Sequence, residues 1–121
     1  MMVKALQTEL ITLLEKYIQT GEEGIVDLRS LPMSPQDLIR LEDELGKGEV
    51  SASVDVTGLT KIWETQYAGV WWIRSFADAD VVTYEQIVVC AVPELLKAHP
   101  DDISASISEL RNNLNNSDEK N

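Results

Sequence analysis

Polar and apolar residues alternate cleanly from Glu49 to Val56. Val50, Ala52, Val54 and Val56 fall on one side, Glu49, Ser51, Ser53 and Asp55 on the other. A period of two predicts an antiparallel strand with one wet face. Thr57-Gly58 marks a turn, and further strands are expected over about 61–67, 70–76 and 81–89, with a polar turn at Ala77-Asp78-Ala79-Asp80. Before this block the period is helical. Val3, Leu6, Leu10, Leu13, Leu14 and Tyr17 form one stripe, which predicts a helix over 3–19 that stops at Gly21. Ile25-Val26-Asp27-Leu28 is a possible short strand. A second helix has a well-marked start: Ser34 as N-cap, Pro35 as first residue, Asp37 in the capping-box position, and Met33 with Leu38 as a hydrophobic staple. It should bury Leu38, Leu41 and Leu45 and end at Gly46. After the strands, Pro93 opens a short helix over 93–98, which Pro100 ends or separates from the next. Asp101 can cap a last helix over 102–114, with Ile103, Ile107, Leu110 and Leu114 on one face. The polar tail, 115–121, is expected to fray. Strands grouped beside helices indicate an α+β fold. It is expected to be a single domain over 1–121, with about four strands in an antiparallel meander packed with N- and C-terminal helices.

The stretch Glu64-Thr65-Gln66-Tyr67-Ala68-Gly69-Val70-Trp71-Trp72-Ile73-Arg74 holds two of the three tryptophans, with Trp63 just before it. Gly69 breaks a strand-like pattern and is read as a corner. Trp71 and Trp72 should face opposite sides of the sheet. Alternation cannot easily bury all three tryptophans on one face, so at least one is expected to stay partly exposed; the competing reading packs all three. Exposed Trp and Arg are the usual anchors of interfaces. Glu64, Trp71, Trp72 and Arg74 are therefore the candidate partner-binding residues. A structural alternative pairs Glu64 with Arg74 across the Gly69 corner.

Charge narrows the partners. The 121 residues carry 21 acidic and 10 basic groups, a formal net charge of -11. Such a field repels phosphate backbones, so no nucleic acid is expected, and it would favour basic partners. The apolar runs are too short to span a membrane and no signal-peptide core is visible, so the expected location is cytoplasmic. Cys90 and His99 are each the sole residue of their type, which rules out an intrachain disulfide and a Cys/His zinc site. Cys90 reads as a buried structural thiol and His99 as a surface or capping residue. Neither a phosphate-binding loop nor a Gly-x-Ser-x-Gly elbow occurs. No catalytic residue, metal ligand or cofactor is assigned, and the chain is not expected to be an enzyme.

Two blocks carry a family likeness. Leu45-Gly46-Lys47-Gly48-Glu49-Val50-Ser51-Ala52 and Glu64 to Arg74 resemble the conserved C-terminal region of the HupH/HyaF/HoxQ hydrogenase expression and maturation proteins. Leu31-Pro32-Met33-Ser34-Pro35, Glu85-Gln86-Ile87 and Val92-Pro93-Glu94-Leu95-Leu96 are similar too, so the likeness is strongest over roughly 25–98. It implies a non-enzymatic accessory chaperone for nickel–iron hydrogenase, bound to a hydrogenase subunit precursor or to other accessory proteins. Members of that family are usually longer, with a further N-terminal portion. A twin-arginine signal region on the precursor would suit the acidity of this chain. The alternative is a generic interaction module that self-associates, through an exposed strand edge or the N-terminal helix, as a homo-oligomer.

Overall fold

The structure, a computed structural model, describes residues 2–55, 57–78 and 80–120, the last three by backbone alone. The expectations for Val56 in the first strand, Ala79 in the polar turn and Asn121 in the tail lie outside these residues. The chain forms two compact units, 1–91 and 92–121.

In the first unit, α1 (Met2–Thr20) is followed by β1 (Gly24–Asp27), a 3-10 turn (Leu28–Ser30) and α2 (Pro35–Leu45). Then come β2 (Ser51–Asp55), β3 (Leu59–Glu64), β4 (Val70–Phe76) and β5 (Val82–Val89). The order across the sheet is β1-β5-β4-β3-β2, and every pairing is antiparallel. The meander is thus β2 to β5, and the short run read as a possible strand adds a fifth strand beside β5.

Local signals built the helices as the pattern indicates. α1 buries Val3, Leu6 and Leu10, with Leu13, Leu14 and Tyr17 packed against the same core. At α2, the Ser34 hydroxyl accepts from the Asp37 N–H (3.1 Å) and the Asp37 carboxylate accepts from the Ser34 N–H (3.2 Å), a closed capping box. Gly46 ends α2 at φ 65°, a conformation that side chains resist.

The register sorts the sheet residues by face. Trp63 lies opposite Trp72, Trp72 opposite Ile87, and Ile87 opposite Val26, so these four share a face. With Val70 and Val89 they form one cluster with the inner residues of α1 and with Leu41 and Leu45 of α2. The other face is buried as well: Trp71, Ile73, Ile62 and Val88 are each at most 5% exposed. Helices on one face and water on the other is therefore not the arrangement. The half-buried side of β2, Ala52 and Val54, belongs to the Trp71 face, and Ser51, Ser53 and Asp55 to the Trp63 face.

The second unit holds a 3-10 turn (Glu94–Leu96) and α3 (Pro100–Lys120). Three expectations change here. The expected helix over 93–98 is only this turn. Pro100 is the first residue of α3, a place where its missing N–H costs nothing. His99, not Asp101, caps the helix: its Nδ1 accepts from the Asp101 N–H (3.1 Å), and its carbonyl accepts from the Asp102 and Ile103 N–H groups. Residues 115–120, expected to fray, are helical.

Candidate functional site

The two blocks that carry the likeness meet in space. The Gly48 N–H donates to the Glu64 carbonyl (2.7 Å), and the Gln66 N–H to the Leu45 carbonyl (3.0 Å). A Cβ at Gly48 would stand 2.7 Å from the Thr65 carbonyl oxygen, so only glycine lets the segment lie this close. Beyond β3, buried Thr65 pins the corner: its hydroxyl bonds to both backbone groups of Tyr67, and its N–H donates to the Val70 carbonyl. Gly69 takes φ 86°, and its N–H donates to the Glu64 carboxylate (3.1 Å). The glycines thus join the end of α2 to the β3–β4 corner.

That joint aims Arg74 at two acids. Its Nε donates to Glu85 Oε2 (2.6 Å) and its Nη2 to Glu42 Oε1 (2.5 Å). The same Glu85 oxygen accepts from Trp72 Nε1 (2.7 Å). Glu85 is buried, and two donors satisfy one of its oxygens. Trp63 and Trp72 stack with centroids 5.8 Å apart and planes 8° apart. The guanidinium lies 5.1 Å from the Trp63 ring centre and 5.6 Å from that of Trp72, within cation–π range. Burial works against the Arg74 charge, but the hydrogen bonds and fields of Glu42 and Glu85 more than offset it, so its pKa is raised.

Two expectations are corrected. No tryptophan is partly exposed: Trp63, Trp71 and Trp72 are 5%, 4% and 0% exposed. Both sheet faces are covered, which removes the difficulty that alternation posed. Trp71 uses its face to donate from Nε1 to the Cys90 carbonyl (3.1 Å). Nor does Glu64 pair with Arg74. Glu64 lies opposite Trp71 and Arg74 opposite Lys61, which places them on opposite faces. Of the four candidate contact residues, Glu64 and Arg74 keep part of their surface, and the two indoles are interior.

Beside Arg74 opens a cleft of about 430 Å³, walled by Lys47, Lys61, Arg74, Ser51, Ser53 and Trp63 among others. Lys47 Nζ lies 5.0 Å from the Trp63 ring centre, and Lys61 Nζ 5.7 Å from that of Phe76. Sequence reasoning missed Glu42, Glu85, Lys47 and Lys61. A sequence signal existed for Glu85, the one charged residue of β5. Lys61 and Trp63 share parity with each other, but their cleft depends on β2 and β4 as well. Among the described residues, no group of three or more His, Cys, Asp or Glu is placed to hold a metal ion, and no helix is long and apolar enough to cross a membrane.

Comparison with known proteins gives the family. Residues 1–116 match the family described as HupH hydrogenase expression protein, C-terminal conserved region. The chain is 26% identical over 111 residues to the hydrogenase expression/formation protein HupH of Rhizobium leguminosarum bv. viciae, covering 92% of this chain and 39% of that protein. It is 30% identical over 107 residues to HupQ, a protein of the same description from Azotobacter chroococcum mcd 1, covering 84% and 38%. It thus spans about two fifths of the length of these relatives. A solved structure, hydrogenase expression protein HupH from Thiobacillus denitrificans ATCC 25259, superposes with a TM-score of 0.91 at 36% identity, covering 94% of this chain and 95% of that one.

Proposed function

The chain belongs to the family of HupH hydrogenase expression proteins, through their C-terminal conserved region, and on that premise we propose that it is an accessory protein of nickel–iron hydrogenase formation. It acts in the cytoplasm as a non-enzymatic chaperone, binding a hydrogenase subunit precursor or another maturation factor. The observation that carries this reading is the match over 1–116, supported by the TM-score of 0.91 to a solved hydrogenase expression protein at 36% identity.

In this reading Glu64 and Arg74 meet the partner. Trp71 and Trp72 serve the contact from inside: Trp72 and Glu85 fix the Arg74 guanidinium, and Trp71 ties down β4, the strand that carries Trp72 and Arg74. The net charge of -11 favours a basic partner segment, such as a twin-arginine signal region.

Affinity purification of the tagged chain from a host expressing hydrogenase tests the proposal. A subunit precursor or a maturation factor among the captured proteins supports it; recovery of the chain with itself alone overturns it in favour of a self-associating module. Coexpression with the precursor and with its signal-less form tests the signal-region version, which equal recovery of both removes.

A further inference from the structure

We propose that the cleft beside β2 binds an extended acidic segment of a partner chain, which pairs with the free edge of β2 and places a carboxylate between Lys47 and Lys61. This deepens the partner-binding reading above, rests on it for the identity of the partner, and concerns a segment of that partner distinct from the basic one.

The first observation is the edge. β2 is the last strand of the sheet, with β3 on one side only. Its sequence, Ser51-Ala52-Ser53-Val54-Asp55, contains no proline or lysine, and its one charged residue, Asp55, stands at the far end from Lys47. The Glu64 N–H donates to the Val50 carbonyl. With the register Ala52↔Ile62, alternation therefore turns the backbone groups of Ala52 and Val54 toward β3 and those of Ser51 and Ser53 outward. The side chains of Ser51 and Ser53 line the cleft and are exposed. An added strand would thus meet outward N–H and C=O groups on the residues that border the cationic wall.

The second observation is charge. On a chain of net charge -11, three cations line this one cleft. Arg74 is already matched by Glu42 and Glu85. Lys47 and Lys61 are not: among the described residues neither has a carboxylate at ion-pair distance, and each rests over an aromatic ring. The cleft is therefore locally positive, and a carboxylate is the charge it lacks.

The third observation is a donor without a partner. Trp63 is 5% exposed and forms part of the cleft wall, and its Nε1–H is buried with no acceptor. Lys47 sits over its ring. Such a group is costly to leave unmet, and an acceptor reaching the edge of the indole would satisfy it.

The test is an NMR titration of the full chain with the peptide acetyl-Thr-Val-Glu-Val-Thr-amide, read at the amides of Ser51 and Ser53 and at the Trp63 indole N–H. Saturable shifts at these three positions are expected. The peptide with Gln in place of Glu should bind about tenfold more weakly. The K47Q/K61Q variant should lose the same factor with only a small shift of its melting transition, because both lysines are exposed and give up only their contacts over the rings. Equal binding of the Gln peptide, shifts confined to other parts of the chain, or no saturation at millimolar peptide overturns the proposal. So does acetate alone producing the same shifts, which would make the cleft a plain anion site. Capture from the hydrogenase-expressing host, repeated with K47Q/K61Q, keeps the two readings apart. Undiminished capture of a precursor or maturation factor sinks the cleft proposal and leaves the accessory function standing. Failure of the unaltered chain to capture any such protein sinks the function, and the titration still decides the cleft.

Discussion

Arg74 is held where a charge is expensive to keep, and its neighbours set what each substitution costs. Glu85 is 4% exposed and depends on Arg74 and Trp72 for its donors. Replacing one member of a buried ion pair strands the other, at a cost of about 3–5 kcal/mol. Arg74→Ala should fall toward the lower end, because the Arg74 and Glu42 side chains are 23% and 29% exposed and water screens that arm. Denaturant unfolding checks the loss. Trp72→Ala removes a fully buried ring stacked on Trp63 and should cost about 3–5 kcal/mol. A variant that lost partner binding with its melting transition unchanged would show the indole acting at an interface after all. The mistaken pairing of Glu64 with Arg74 is instructive at this scale. Both residues flank the same corner, but the five residues from Thr65 to Gly69 set the parity between the strands, and parity sent the two side chains to opposite faces.

At the scale of elements, the legible features were the local ones. The stripe of α1 and the cap of α2 depend on residues within a few positions of each other, so sequence spacing specifies them. Ser34→Ala should therefore behave as an isolated cap loss, lowering stability by about 1 kcal/mol in a denaturant melt. The β3–β4 joint is different. Its glycines stand out in the sequence, but what they touch does not. Gly48 is required by the Thr65 carbonyl seventeen positions on, and Gly48→Ala forces backbone against Cβ at 2.7 Å. Overpacking of this kind costs about 1–3 kcal/mol. Because the joint also positions the start of β2, the same variant should broaden or shift the amide signals of Ser51 and Glu64 in an NMR spectrum. Loss of stability without change at these amides would place the strain elsewhere. The cationic cleft was illegible for the same reason: Lys47, Lys61 and Arg74 come from a loop and two strands, and only the register gathers them.

For the molecule as a whole, burial is unevenly shared. The sheet of the first unit is covered on both faces, whereas every side chain described in α3, from Pro100 to Ser117, is exposed. Sequence periodicity found the apolar face of α3, Ile103, Ile107, Leu110 and Leu114, but periodicity shows only that a face exists, not that anything covers it. Within its own unit α3 has local support: the His99 cap, Asp101 and Asp102 in the first turn, and its own hydrogen bonds. Tertiary packing supplies most helical stability in proteins, so α3 should open by local unfolding at a small fraction of the free energy that opens β4 and β5. Native-state hydrogen exchange measures this directly. With dilute protein, α3 amides are expected to exchange on the order of a hundredfold or more faster than those of Trp72, Ile73 and Ile87, because a difference of about 3 kcal/mol in opening free energy sets that ratio. Protection of α3 equal to that of the sheet would contradict the expectation. If that protection rose with protein concentration, the apolar face would be covered by a second copy of the chain, and the exposed residues of α3 would be an interface rather than a solvated surface.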